Sequence, residues 1–176
     1  QSGTLHDHAI RAIEKALSRL SKRGLPLMGE ADWNDGLSGV GRGGKGESVW
    51  MAHFLIGILR DWAEMTDRAV TLRSLPAREK RRAARYRKAA EKLKTTVNRV
   101  AWDGEWYWRA TTDDGLVLGS KKSKEGKIFL TAQTWAVLND VVPTESRQKS
   151  LLRSLEKYLY GPHGPLLLTP AYTTPD

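Results

Sequence analysis

The sequence predicts an all-α domain made of helical hairpins from an α/α toroid, interrupted by one short β-hairpin. Apolar residues recur at helical spacing in five stretches, and long polar loops join those stretches. Only the region around residues 106–118 alternates with the period of a strand. At 176 residues the chain is long enough for one compact domain with a core, and it contains no internal repeat or low-complexity segment.

The first helix is announced by Thr4-Leu5-His6-Asp7, a capping-box pattern. Leu5, Ile10, Ile13, Leu17 and Leu20 form its core stripe, and Lys22-Arg23-Gly24 supplies a cationic last turn and a stop. A polar, glycine-rich loop spans Gly29 to Gly46. The next helix, about Ser48 to Thr66, is apolar nearly all round and is expected to be buried between neighbours. A basic helix follows from about Pro76, a good first-turn residue, to about Ala101. Trp106, Trp108 and Ala110 alternate with Tyr107, Arg109 and Thr111. Asp113-Asp114-Gly115 then reads as the turn of a hairpin returning through Leu116 to Leu118. A charged loop, Gly119 to Lys127, leads to helices over about Thr131–Asn139 and Thr144–Leu159, and the tail from Gly161 to Asp176 is rich in Pro and Gly.

The net charge of +9 has a local source. Ten Lys and Arg against two acids lie between Arg73 and Lys94, while Ala83, Ala84, Ala89, Ala90, Leu93, Val97 and Val100 recur at helical spacing in the same region. The bases are therefore one solvated helix face. The chain has no Cys, which excludes disulfides and thiolate metal sites. Its four His are scattered, with His6 and His8 on different helix faces, so no metal site is expected. The most apolar run, Val49 to Leu59, is too short to span a bilayer. A soluble, cytoplasmic protein is expected, with Gln1-Ser2-Gly3 reading as a cut within a longer chain.

Gly39-Val40-Gly41-Arg42-Gly43-Gly44-Lys45-Gly46 fits G-x-x-x-x-G-K, but Gly46 stands where a P-loop needs a hydroxyl for magnesium. Gly41, Gly43 and Gly46 fit G-x-G-x-x-G by spacing, yet neither match follows a strand. A glycine loop ahead of a helix N-terminus is still suited to offering N–H groups to an anion or a sugar hydroxyl. Seven Trp is a high count. Trp50, Trp62 and Trp135 lie on apolar helical faces and read as core, whereas Trp33, Trp106 and Trp108 read as platforms for the apolar face of a sugar ring.

The stretch Asp32-Trp33-Asn34-Asp35-Gly36 has two readings from its residues alone. Asp32 and Asp35 cap a turn in which Asn34 and Gly36 tolerate left-handed geometry and Trp33 fills a gap. Alternatively, two carboxylates in a semi-enclosed loop repel one another, so that one stays protonated near neutral pH and serves as an acid.

The stretch "GLPLMGEADWNDGLSGVGRGGKGESVWMAHFL" resembles a signature of the cellobiose/chitobiose phosphorylase family, glycoside hydrolase family 94, which includes the phosphorylase-like region of cyclic β-1,2-glucan synthases. The similarity continues through "AWDGEWYWRA", "EGKIFL", "AQTWAV" and "LLTP", and "GLPLMG" and "LLTP" are most similar to the glucan-synthase branch. The resemblance implies an (α/α)₆ barrel whose loops hold an inverting phosphorolysis site for β-linked oligosaccharides or glucans. Asp35 would be the general acid. Asp32 would hold the loop or contact sugar, Trp33 would line the donor subsite beside Asn34, and Arg109, Glu125, Lys127 and Gln133 match positions near the saccharide. No cofactor is implied, since inorganic phosphate is the co-substrate and nucleophile.

The resemblance also implies that residues 1–176 are part of a barrel. The Arg-bearing substrate loop and the His and Thr-Gly elements for phosphate would lie outside them, and the remainder of the catalytic domain or a second copy would be a partner. The cytoplasmic side of a membrane-associated synthase is one setting this allows. Lys121, Lys122 and Lys124 depart from the family pattern in the loop before Glu125. Two rival readings are a carbohydrate-binding or structural remnant without turnover and a basic helical module for nucleic acid or anionic membrane. Binding of nucleic acid is not expected.

Overall fold

The computed structural model describes residues 2–32 and 37–173, about half of them helical. Among the described residues there are five helices: α1 (Leu5–Leu17), α2 (Val49–Thr71), α3 (Glu79–Val100), α4 (Leu130–Leu138) and α5 (Glu145–Leu159). Seven two-residue strands join them: β1 (Glu47–Ser48), β2 (Ala110–Thr111), β3 (Val117–Leu118), β4 (Ile128–Phe129), β5 (Tyr160–Gly161), β6 (Gly164–Pro165) and β7 (Leu168–Thr169). No helix among the described residues is long and apolar enough to cross a membrane.

The pair α2 and α3 forms the scaffold. Seven residues connect them, so the two long helices return antiparallel and pack along most of their length. Their contact is built from Ala52, Ile56, Leu59 and Ala63 on α2 against Ala83, Ala90, Leu93 and Val97 on α3. Alanines at these positions let two helices approach closely. The other side of α2 is taken by α4, whose C-terminal Asn139 donates from Nδ2 to the His53 carbonyl at 3.0 Å. Gly57 makes that approach feasible, because a Cβ there would lie 2.2 Å from Asn139 Oδ1.

The apolar face of Val49–Leu59 is covered by α3 and α4, as expected of a helix buried between neighbours, and a groove edged by Met51, Phe54 and Ile58 faces α1. Other expectations are corrected by the packing. Helix α1 starts on the Thr4 capping box but ends at Leu17, because Leu20 leaves the helix to bridge Pro26. Leu5, placed on the core stripe from its spacing, is 85 % exposed. Helix α2 runs one turn beyond Thr66, and α3 begins at Glu79, after Pro76.

The basic face of α3 is laced to acids of its neighbours. Arg85 pairs with Glu14 of α1, Arg87 with Asp67 of α2, and Arg82 with Glu79 on its own helix. Lys94 reaches Asp140 at 3.2 Å after α4. The Arg85 guanidinium is the main reason that the Glu14 carboxyl sits below its ordinary range.

Strand order β1-β2-β3 makes a small antiparallel sheet, with Ser48 opposite Ala110 and Ala110 opposite Leu118. The hairpin expected around residues 106–118 is therefore present at Ala110–Thr111 and Val117–Leu118, and β1 joins it as a third strand. The tail is also strapped down, because β7 pairs with β4 through Thr169 opposite Ile128.

His53 is buried in α2, its ring edge-on to Tyr107 at 4.8 Å. Burial pushes its imidazole down to about 3. A group whose folded pKa is depressed in this way takes up protons in the unfolded chain first. Stability is therefore full above about 6.5 and is lost as pH falls towards 3. Urea unfolding of the wild type is expected to show an added slope approaching ~1.4 kcal/mol per pH unit in that window. His53→Gln is expected to remove it, and an unchanged slope in the variant would mean that His53 is not the group responsible.

Candidate active site

The loop that carries the Asp-Trp-Asn-Asp motif is held at its base by a buried ion pair. Arg109 Nη2 lies 2.8 Å from Asp32 Oδ1 and 2.6 Å from Asp32 Oδ2, and neither side chain has any exposed surface. Ser48 completes the cluster. Its hydroxyl donates to Asp32 Oδ2 at 2.8 Å, accepts from Arg109 Nη1 at 3.3 Å, and accepts from the Met51 backbone N–H at 3.0 Å as the N-cap of α2. The Arg109 guanidinium also lies over the Trp50 ring at 5.9 Å. Desolvation lowers the Arg109 pKa, and the adjacent Asp32 carboxylate opposes that shift.

Each member is positioned by a local rule. Ser48 precedes an apolar helix, where a hydroxyl meets an N–H with no partner inside the helix. Arg109 immediately precedes β2. Its N–H donates to Leu118 O at 2.8 Å and its carbonyl accepts from Val49 N–H at 3.1 Å, so the backbone is fixed from both sides. A buried carboxylate and guanidinium are tolerable only as a pair, and fork-to-carboxylate geometry is what Arg supplies.

The glycine loop is not open to an external anion, as its composition had implied. Asp113 fills it: its carboxylate accepts from the N–H groups of Gly43 at 2.5 Å, Lys45 at 2.7 Å and Gly46 at 2.8 Å. The Lys45 and Gly46 N–H groups are the chief reasons that the Asp113 pKa is lowered. Its sequence context marks Asp113 only as a turn residue, which is a sufficient local explanation and conceals the contact.

The other candidate residues occupy distinct places. Gln133 is buried on α4, where Oε1 accepts from Tyr107 N–H at 2.9 Å and Nε2 donates to Tyr107 O at 2.8 Å and Phe129 O at 3.2 Å. It thereby ties α4 to the segment two residues before Arg109. Glu125 and Lys127 are half-buried on the segment entering β4. The Glu125 carboxylate accepts from the Thr173 N–H at 3.2 Å and from its hydroxyl, while Lys127 N–H donates to Thr169 O at 2.9 Å. Trp33, Asn34 and Asp35 lie outside the described residues.

The structure thus unites Asp32, Arg109 and Ser48, seats Gln133 behind them, and places Glu125 and Lys127 against the tail. Two of the aromatic platforms read differently here. Trp106 is 1 % exposed, packs with Ile128 and Leu159, and donates its indole N–H to Gly119 O at 2.9 Å. Trp108 packs against the main core.

A family model for the glycosyl hydrolase 94 superfamily catalytic domain matches residues 1–176. The chain belongs to glycosyl hydrolase family 94. It is 37 % identical over 172 residues to solabiose phosphorylase of Paenibacillus borealis, a match that covers 98 % of the chain and 21 % of the relative. Cellobionic acid phosphorylase of Neurospora crassa is 33 % identical over 170 residues, 97 % of the chain and 20 % of that protein. Cyclic β-(1,2)-glucan synthase NdvB of Rhizobium meliloti is 36 % identical over 137 residues, 78 % of the chain and 5 % of the synthase. The chain therefore spans about a fifth of the length of the phosphorylases it matches. Members of family 94 include glycoside phosphorylases, which are enzymes of carbohydrate metabolism.

The buried pair makes a direct prediction. Arg109→Met leaves the Asp32 carboxylate without its counter-charge, and Asp32→Asn leaves the guanidinium so. Each is expected to destabilise the chain by about 3–5 kcal/mol in denaturant unfolding. The double variant Asp32→Leu/Arg109→Met is expected to lose less than the sum of its singles. Strict additivity of the two losses would show that the side chains are not coupled.

Proposed function

We propose that this chain carries the acid-bearing part of an inverting glycoside phosphorolysis site, with Asp35 as general acid, within an (α/α)₆ catalytic domain. The observation that supports the reading is the Asp32–Arg109–Ser48 cluster. It fixes the backbone three residues before Asp35 to the N-terminus of α2 and to β2 at once. A general acid works only when it is held within hydrogen-bond reach of the oxygen it protonates.

In the proposed reaction the Asp35 carboxyl gives its proton to the glycosidic oxygen of a β-linked glucoside or β-glucan. The bond from that oxygen to the anomeric carbon breaks, and an oxygen of inorganic phosphate forms a bond to the same carbon from the opposite face. The products are an α-glucosyl phosphate and the shortened sugar. One carboxyl is sufficient because phosphate, unlike water, arrives as a nucleophile and needs no second carboxylate to activate it. No cofactor enters this balance.

Roles for the remaining residues are assigned from the family resemblance and, for the described ones, from the contacts they make. Trp33 lines the donor subsite, with Asn34 offering its carboxamide to sugar hydroxyls. Asp32, Arg109 and Gln133 are positioning residues: their side chains bond one another, Ser48 and backbone groups, and act on the saccharide through the loop and the Tyr107 segment they hold. Glu125 and Lys127 belong to the saccharide side, on the segment that the tail straps down.

In the complete enzyme, Asp35→Asn is expected to reduce phosphorolysis by about 10²–10⁴-fold while leaving sugar binding nearly intact, because the amide keeps the shape and lacks the proton. Release of glucose 1-phosphate measures the rate, and substrates with activated leaving groups are expected to suffer least. Full activity in Asp35→Asn would refute the assignment. Trp33→Ala is expected to weaken saccharide binding by about 1–3 kcal/mol from lost apolar burial. Unchanged affinity in a calorimetric titration would return Trp33 to a gap-filling role.

A further inference from the structure

A single hairpin grips both stems of the motif loop. On the N-terminal side Arg109 holds Asp32, and on the C-terminal side Asp113, four residues along the same segment, holds Gly43, Lys45 and Gly46. The two stems are joined to each other as well. Gly39 N–H donates to Glu30 O at 2.8 Å, Gly29 bridges Gly41, and Met28 N–H donates to Gly46 O at 2.9 Å. Asp113 adds its own N–H, donated to Val40 O at 3.1 Å. The described stems on either side of residues 33–36, residues 28–32 and 37–46, are thus clamped together at their neck.

We propose that Asp113 is a positioning residue for the general acid: its carboxylate acts as an internal anion in the glycine nest and locks the C-terminal stem of the Asp35 loop. The inference rests on the phosphorolysis reading for its catalytic consequence and on geometry alone for the lock. Three convergent N–H donors require an acceptor-only group with two oxygens. A carboxylate meets that requirement, whereas a carboxamide turns one of its two ends into a donor. The carboxylate also packs closely on Gly43, where a Cβ would sit 2.9 Å from Asp113 Oδ2. The lowered Asp113 pKa agrees with a carboxylate held in its charged form by those N–H groups.

Two measurements test this separately. In the 176-residue chain, amide hydrogen exchange followed by NMR is compared for wild type, Asp113→Asn and Asp113→Ala. Faster exchange at Gly43, Lys45 and Gly46 that spreads to Gly39, with α2 and α3 still protected, supports the lock. Exchange changes confined to residues 43–46, or lost protection throughout α2 and α3, would overturn it.

In the complete enzyme, Asp113→Ala is expected to lower kcat by about 10–100-fold with KM for the sugar nearly unchanged, as a displaced acid would. Added formate is expected to restore part of that loss by occupying the vacated nest. Undiminished kcat, or a loss that formate does not recover, would overturn the positioning role. Should Asp35→Asn prove fully active, the reading of Asp35 fails, and the exchange measurement still decides the lock.

Discussion

A guanidinium and a carboxylate with no exposed surface impose a strict constraint, because neither is tolerable in a protein interior without the other. Asp32 and Arg109 are 77 positions apart in sequence, so satisfying them forces the motif loop onto the strand-forming segment before any catalytic question arises. Ser48 extends the constraint to α2, since its one hydroxyl serves the carboxylate, the guanidinium and the first turn of the helix. Three elements thus meet at one polar knot inside an otherwise apolar packing. The helical scaffold makes the knot dry, and the knot gives the scaffold a unique register.

In the proposed reaction, rigidity at this point has a chemical use. A loop bearing an acid has to be aimed, and aiming requires supports that do not themselves reach for the substrate. Arg109 and Gln133 both bond inward, the first through its Nη atoms to a carboxylate and the Ser48 hydroxyl and the second to backbone groups of Tyr107 and Phe129. Asp113 does the same from the opposite side, occupying N–H groups that would otherwise attract any passing anion. That occupancy is also consistent with a division of labour in which phosphate is bound by groups other than the glycine loop.

Much of the helical fold is legible in the sequence, for local reasons. The Thr4 capping box, the unbroken apolar character of α2 and the apolar periodicity of α3 depend on residues a few positions apart. The strands are a different matter. Two-residue ladders such as β4 with β7 are too short to show a period, and their pairing is set by partners about forty residues away. Leu20 misleads because its spacing suits a helix, while its backbone is used in a bridge to Pro26.

The site divides in the same way. Asp32 stands out by composition, and Arg109 is suggested only by family resemblance; their union is a long-range contact that no local pattern carries. Asp113 is hidden by an adequate turn explanation, and Trp106 by an alternation that looks like an exposed strand and is in fact a buried indole with its N–H on Gly119. The most direct measurement is a crystal structure of the complete enzyme with a bound β-linked disaccharide. Asp35 is expected within about 2.6–3.2 Å of the glycosidic oxygen, with Arg109 still on Asp32 and out of reach of the sugar. An Arg109 swung onto the saccharide, with Asp35 turned away from the scissile bond, would contradict it.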